Sequence, residues 1–323
     1  MPRLTASFRL LIMGYGAFGQ ALAQALPARG DVAVEVFSRR APWPEAVRPG
    51  ISRFIHSLGA IDPGAYDAVI LALPSGALAT VLDSLAPATR RPPVISCVKG
   101  MESETHAFPT DLIAQHMPGH PVAMLSGPTF AGEMLAGHKV WMSLASADAA
   151  LAQALSVQLA GPLIAISPTP DLRGLEIIGV AKNIIAIGAG LCEGLGLGEN
   201  ARASYVARGI AELRRLLPAL GGAAETALSP GGLGDLILTC TSRQSRNYRF
   251  GVELGVHAAA PEAAAAPRAA EGLPVPLAEG SRSITAFLAF IRRAGAASPY
   301  FEGLAAAMAN ADTMAERLLA TLG

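Results

Sequence analysis

Along the first half of the chain, short runs of consecutive apolar residues alternate with segments whose apolar positions recur at helical spacing. The runs at Phe8–Met13, Val32–Phe37, 68–73, 94–98 and 122–125 are apolar on successive positions, the pattern of parallel strands covered on both faces. This alternation predicts a doubly wound α/β domain of Rossmann type. At Ser167-Pro168-Thr169-Pro170-Asp171 the residues change to turn formers, and beyond them strand-like runs largely vanish. The predicted division is an α/β domain over 1–168 and a mostly α-helical domain over 169–323.

In the second half, 174–192 is apolar nearly all round and reads as a helix buried in a core. Its Gly179, Ala181, Ala186, Gly188 and Ala189 would let other backbones approach closely. Further helices are predicted over 202–217, 280–293 and 301–322. Between them, residues 258–270 read AAAPEAAAAPRAA, whose two prolines prevent one continuous helix and predict an exposed connection.

Composition narrows the function classes. The 323 residues are 51% apolar, enough for a sizeable core, and 25 basic residues balance 25 acidic ones. No general field is left to hold nucleic acid or an anionic membrane, so an anion must meet a local site. Cys97, Cys192 and Cys240 stand far apart, which predicts buried free thiols in a reducing cytoplasm. The longest candidate for a membrane span, 175–191, contains Glu176, Lys182 and Asn183, and a soluble protein without membrane insertion is expected. The N-terminal residues could pass for a signal peptide, but glycines at 14, 16 and 19 interrupt its apolar part and have a better explanation in nucleotide binding. Six scattered histidines with no HExxH spacing and no carboxylate cluster predict no metal.

Gly14-Tyr15-Gly16-Ala17-Phe18-Gly19 follows the first predicted strand and opens a helical segment, 20–26. In that context the glycines permit a tight turn and close approach to a pyrophosphate, and the helix N-terminus offers N–H groups to it. The second strand ends Phe37-Ser38-Arg39-Arg40, where an NAD site would commonly carry an acidic residue. Ser and Arg suit a 2′-phosphate, which favours NADP over NAD.

Lysine is scarce, with only Lys99, Lys139 and Lys182 against twenty-two arginines. Lys182 lies mid-helix among apolar residues, where burial would tune it as an acid or base, unless its stem packs and its ammonium reaches solvent. Lys99 follows a strand and is expected at the carboxyl edge of the sheet, as is Ser126-Gly127-Pro128-Thr129-Phe130-Ala131. Asp235, after Gly231-Gly232-Leu233-Gly234, reads either as a helix N-cap or as a site residue. The cluster 242–249, SRQSRNYR, offers guanidinium, hydroxyl and amide donors suited to a phosphate monoester, or else forms a solvated turn.

With these segments in place, the chain resembles the bacterial NAD(P)-dependent glycerol-3-phosphate dehydrogenases. The resemblance is carried by LSGPTFAGEMLAG at 125–137, GVAKNIIAIGAGLCEGLGLGENARA at 179–203 with RGIAEL at 208–213, and GGLGDLILTCTSRQSRNYRFG at 231–251. It implies a helical second domain of the 6-phosphogluconate dehydrogenase C-terminal-like type. It also implies reversible hydride transfer between NAD(P)H and dihydroxyacetone phosphate, giving sn-glycerol 3-phosphate for phospholipid biosynthesis in a cytoplasmic homodimer.

By the same resemblance Lys182 is the catalytic acid/base, while Lys99, Gly127, Thr129 and Asp235 surround the substrate and Ser245, Arg246 and Asn247 hold its phosphate. Gly14, Gly16, Ala17, Phe18, Gly19, Arg39, Lys99, Ala131, Arg246, Leu277 and Glu279 are implied on the cofactor side. Ala17 stands where the family usually has Ser, and the family's segment after the second strand is not recognisable in 49–64. Two alternatives are a related two-domain reductase of another 2-oxo or 2-hydroxy acid and a nicotinamide-binding sensor without turnover.

Overall fold

The computed structural model describes residues 8–39, 50–85, 90–102, 105–259 and 279–322. The chain divides into two compact units, Met1–Glu102 with Ala107–Leu172, and Ser103–His106 with Arg173–Gly323.

The first unit is built on eight strands: β1 Phe8–Met13, β2 Val32–Phe37, β3 Ile51–Ile55, β4 Ala68–Leu71, β5 Val94–Ser96, β6 Val122–Ser126, β7 Val140–Ala145 and β8 Ile164–Thr169. Their order in the sheet is β3-β2-β1-β4-β5-β6-β7-β8. Strands β1 to β6 run parallel, β7 turns antiparallel to β6, and β8 runs parallel to β7. The chain moves outward from β1 to β3 and returns to β4, so the topological switch lies between β1 and β4, the place where ligands bind at the carboxyl ends of such sheets.

Helices α1 Ala17–Ala25, α2 Leu78–Ser84, α3 Pro109–His116, α4 Ala131–Leu135 and α5 Ala149–Leu159 complete the unit. The apolar runs supply both faces of the sheet. Leu10, Ile12, Val34 and Ile70 pack with Leu22 of α1 and Leu155 of α5, while Leu11, Met13, Val69 and Leu71 pack with Leu82 of α2 and Ile113 of α3.

Three sequence expectations need correction. The 167–171 segment is not a turn throughout: β8 continues through Pro168 to Thr169. As an edge strand it tolerates a proline that cannot donate to a ladder. Strands β3, β7 and β8 were missing from the pattern, in part because β3 buries only Ile55 and β8 only Ile164. The helix expected over 301–322 is two helices, because Asn310 adopts an extended conformation and its side chain accepts the N–H of Asp312 at 2.9 Å in a local turn.

The second unit is helical: α6 Leu172–Gly194, α7 Gly198–Leu216, α8 Asp235–Thr241, α9 Arg246–Ala259, α10 Glu279–Arg293, α11 Pro299–Ala309 and α12 Met314–Ala320. Helix α6 is buried from Gly174 to Cys192. Among the described residues it is the one helix long and apolar enough to cross a membrane, and that window is wholly buried inside the fold.

Small residues on α6 do admit another backbone, at Gly190 and Gly194 as well as beside Ile187. A Cβ on Gly190 would collide with the carbonyl of Tyr248, one on Gly251 would collide with the carbonyl of Ile187, and Gly194 and Gly255 face each other. These contacts seat α9 directly on α6. Gly188 instead accommodates the ring of Tyr205.

Candidate functional site

The glycine loop of the first unit joins β1 to α1 at the switch point. Gly14 has φ of +107°, and a Cβ there would strike the carbonyl of Ala72 beyond β4. At Gly19 a Cβ would meet the Gly14 carbonyl, so this glycine lets helix and loop close. Gly16 faces open space, where a Cβ would meet nothing within 4 Å, and it is the N-cap of α1 without a side-chain cap or an acidic residue in the first turn. The three glycines thus divide the tasks of turn, exposed approach and packing, and the uncapped helix start suits an anionic pyrophosphate.

Ala17 is exposed at that start, and Phe18 is partly buried against the sheet core. Ser38 is buried after β2, whereas Arg39 is exposed beside it. These residues fit a dinucleotide with a charged adenosine end. Arg40 and Leu277 lie outside the described residues. Glu279 opens α10, and its side chain is likewise outside what is described.

Lys99 is half-buried beyond β5 and precedes Gly100, whose φ is +126°. Its charge tempers the rise of the nearby Cys97 thiol, which burial pushes up to about 12. The Thr129 hydroxyl donates to the Gly127 carbonyl at 3.2 Å. Gly127 is also a packing position, since a Cβ would stand 2.7 Å from the Cα of Met142 on β7. Ala131 begins α4.

In the second unit, Lys182 does not reach solvent: it is 5% exposed and Asp235 is 2% exposed. Its Nζ donates to Asp235 Oδ1 at 2.7 Å and to Thr239 Oγ1 at 3.0 Å. The Thr239 hydroxyl donates to the Asp235 main-chain oxygen at 2.6 Å, which turns an oxygen lone pair toward the ammonium. Gly234 occupies the N-cap position of α8, so Asp235 is not the cap. Burial disfavours both charges, and their pairing within hydrogen-bond distance is what makes the arrangement tenable. Thr239 was missed in the sequence, although it lies four residues after Asp235 and hence on the same helix face.

The 242–249 cluster is sorted by the fold. Ser245 is buried, and its Oγ accepts the Tyr248 N–H at 3.3 Å, so it caps α9. Asn247 is buried too, and its Oδ1 accepts the Gly280 N–H at 2.9 Å. A Cβ on Gly280 would stand 2.5 Å from the carbonyl of Asn183, so this contact ties the start of α9 to the α6 turn that carries Lys182. Arg246 is exposed as the first residue of α9, and among the described residues its side chain makes no hydrogen bond or ion pair. Arg243, in contrast, pairs with Glu193.

Cys192 and Cys240 are buried free thiols, and burial pushes Cys192 up to about 12. Among the described residues no group of three His, Cys, Asp or Glu side chains is placed to hold a metal.

Two family descriptions match the chain: the NAD-dependent glycerol-3-phosphate dehydrogenase N-terminus over residues 64–152, and the corresponding C-terminus over 171–318. The first begins beyond the glycine loop, at the last residue of the unrecognised 49–64 segment. A glycerol-3-phosphate dehydrogenase [NAD(P)+] of Gluconobacter oxydans is 42% identical over 266 residues, covering 78% of this chain and 79% of that protein. One from Methylobacterium radiotolerans is 38% identical over 321 residues, 95% and 94% of the two chains. The crystal structure of glycerol-3-phosphate dehydrogenase from Coxiella burnetii superposes with a TM-score of 0.80 at 27% identity, covering 98% of this chain and 99% of that one. The chain belongs to the NAD-dependent glycerol-3-phosphate dehydrogenase family, a family of NAD(P)-dependent oxidoreductases.

Proposed function

We propose that this protein interconverts dihydroxyacetone phosphate and sn-glycerol 3-phosphate with NAD(P)H, preferring NADPH. The observation that carries the reading is the buried Lys182 ammonium, held by Asp235 and Thr239 and linked through Asn183, Gly280 and Asn247 to Arg246, which is unpaired among the described residues. Family membership supplies the substrate class.

When bound, the nicotinamide supplies the hydride in reduction and accepts it in oxidation. Lys182 gives a proton to the C2 oxygen of the ketone as the alcohol forms, and takes it back in the reverse direction. Asp235 keeps the ammonium in place and balances its charge, with Thr239 fixing the second donor direction. The Arg246 guanidinium receives the phosphate in a charge-assisted, forked hydrogen bond. Ser245 and Asn247 serve the same end by capping α9 and joining it to α10, so that Arg246 projects from a fixed helix start. Lys99, Gly127 and Thr129 complete the substrate contacts, and Gly14, Gly16, Ala17, Phe18, Gly19, Arg39 and Ala131 those to the dinucleotide. Supply of a phospholipid precursor by a cytoplasmic homodimer completes the reading, and rests on the family alone.

Arg246→Ala tests the phosphate assignment. The loss of a hydrogen-bonded charge is expected to raise KM for dihydroxyacetone phosphate by about tenfold or more. An unchanged KM would leave the phosphate end elsewhere.

A further inference from the structure

Glu193, near the end of α6, meets three groups among the described residues. Its Oε1 accepts from Arg243 Nε at 3.0 Å, with a second, closer contact from the same guanidinium. Its Oε2 accepts the Tyr248 hydroxyl and faces Arg202 Nη1 of α7 at 3.4 Å. Arg202 Nη1 in turn donates to the Tyr248 hydroxyl at 2.7 Å, so carboxylate, phenol and guanidinium close a ring of contacts.

Arg243 and Tyr248 are the two residues that bracket Ser245, Arg246 and Asn247. The outer partner, Arg243, has a side chain 71% exposed, and a pair of that kind adds little stability by itself. Tyr248 is 1% exposed, and its main-chain carbonyl sits where a Cβ on Gly190 would fall, so the anchor is strongest directly after Asn247.

The network also decides which guanidiniums remain available. Arg202 and Arg243 are engaged by Glu193, while Arg246 is left without an ion pair among the described residues. Lys182 is on the same helix, eleven residues before Glu193, or about 16 Å along the axis. One rigid element therefore carries the proton donor and the anchor of the segment beside it.

We propose that Glu193 is a positioning residue for the phosphate end of the substrate: by holding Tyr248 and Arg243 it fixes the start of α9 on α6 and leaves Arg246 to the phosphate. This rests on the phosphate assignment made for Arg246. It predicts a selective effect, because the carboxylate touches neither the Lys182 cluster nor the glycine loop in any contact described.

The test compares Glu193→Gln, Tyr248→Phe and Arg246→Ala in the full-length protein, measuring kcat, KM for dihydroxyacetone phosphate, KM for NADPH and Tm. Glu193→Gln and Tyr248→Phe are expected to raise KM for the phosphorylated ketone about fivefold, the size of effect typical of coupled neighbours. Both should leave kcat within about twofold of the wild type. Should Glu193→Gln fail to fold, Tyr248→Phe carries the same expectation.

If Arg246→Ala raises KM and the other two do not, the positioning role is wrong while the phosphate assignment survives. If kcat and both KM values change together with a large fall in Tm, Glu193 is a general structural residue and the proposal is overturned. If Arg246→Ala itself leaves KM unchanged, the fault lies in the underlying assignment.

Discussion

At the scale of single residues, the proposed chemistry of the second unit depends on the buried Lys182–Asp235 ion pair, which is costly to break. Removing the carboxylate in Asp235→Ala would leave the Lys182 ammonium buried without its closest counter-ion, and the expected loss of stability is about 3–5 kcal/mol by urea unfolding. Lys182→Ala is expected to reduce kcat by about 10²–10⁴-fold, the usual worth of a positioned acid or base, while NADPH affinity by fluorescence titration stays near that of the wild type. Retained turnover would take Lys182 out of the mechanism. Lys182 stood out in the sequence because lysine is so rare in this chain and because it interrupts an apolar helix, and the structure shows it buried and paired. Thr239 was not legible, since a threonine in a helix gives no sign of what it faces until Lys182 is placed beside it. Ser245 and Asn247 were recognised as polar donors, but their capping roles depend on where α9 begins and on Gly280, thirty-three residues from Asn247.

At the scale of elements, α6 and α9 form the frame of the proposed site, and their contact is backbone on backbone. Gly251→Ala would drive a methyl group into the Ile187 carbonyl, and overpacking of this kind is expected to cost about 1–3 kcal/mol. The substitution should also raise KM for the phosphorylated substrate if α9 presents Arg246. The Glu193 carboxyl is held below its ordinary value of 4.5, chiefly by the Tyr248 hydroxyl, with Arg243 and Arg202 adding to the effect. A carboxyl lowered by folding contributes fully above its unfolded value, and that contribution is lost as pH falls through the folded one. The stability difference between wild type and Glu193→Gln should therefore shrink on acidification below 4.5. A difference that grew with acid would have the wrong sign. Hydrophobic pattern identified α6 well, because nearly every position is buried, but it did not single out Gly190 and Gly194, and Gly188 meets the Tyr205 ring rather than a backbone. Which small residue meets another backbone is fixed by the crossing of two helices, and a single helix pattern does not contain that crossing.

At the scale of the whole molecule, the sequence pattern recovered the five strands that are buried on both faces and missed the three whose burial or position differs. Strands β1, β2, β4, β5 and β6 carry the continuous apolar runs, whereas β3 and β8 lie at the sheet edges and β7 joins it antiparallel. The glycine loop was readable because each glycine answers a separate steric demand at the switch point. Arg39, exposed beyond β2, is the residue through which the adenosine end is expected to be read. Arg39→Asp should shift the ratio of kcat/KM values from NADPH toward NADH, and an unchanged ratio would place recognition of the 2′-phosphate elsewhere. The central claim joins a phosphate-binding arginine to a buried proton donor in one helical unit. Its most direct test is NADPH oxidation by the purified protein with dihydroxyacetone phosphate, compared with unphosphorylated dihydroxyacetone. Rapid oxidation with the phosphate ester alone is the predicted result; equal rates with both ketones, or none with either while NADPH still binds, would contradict it.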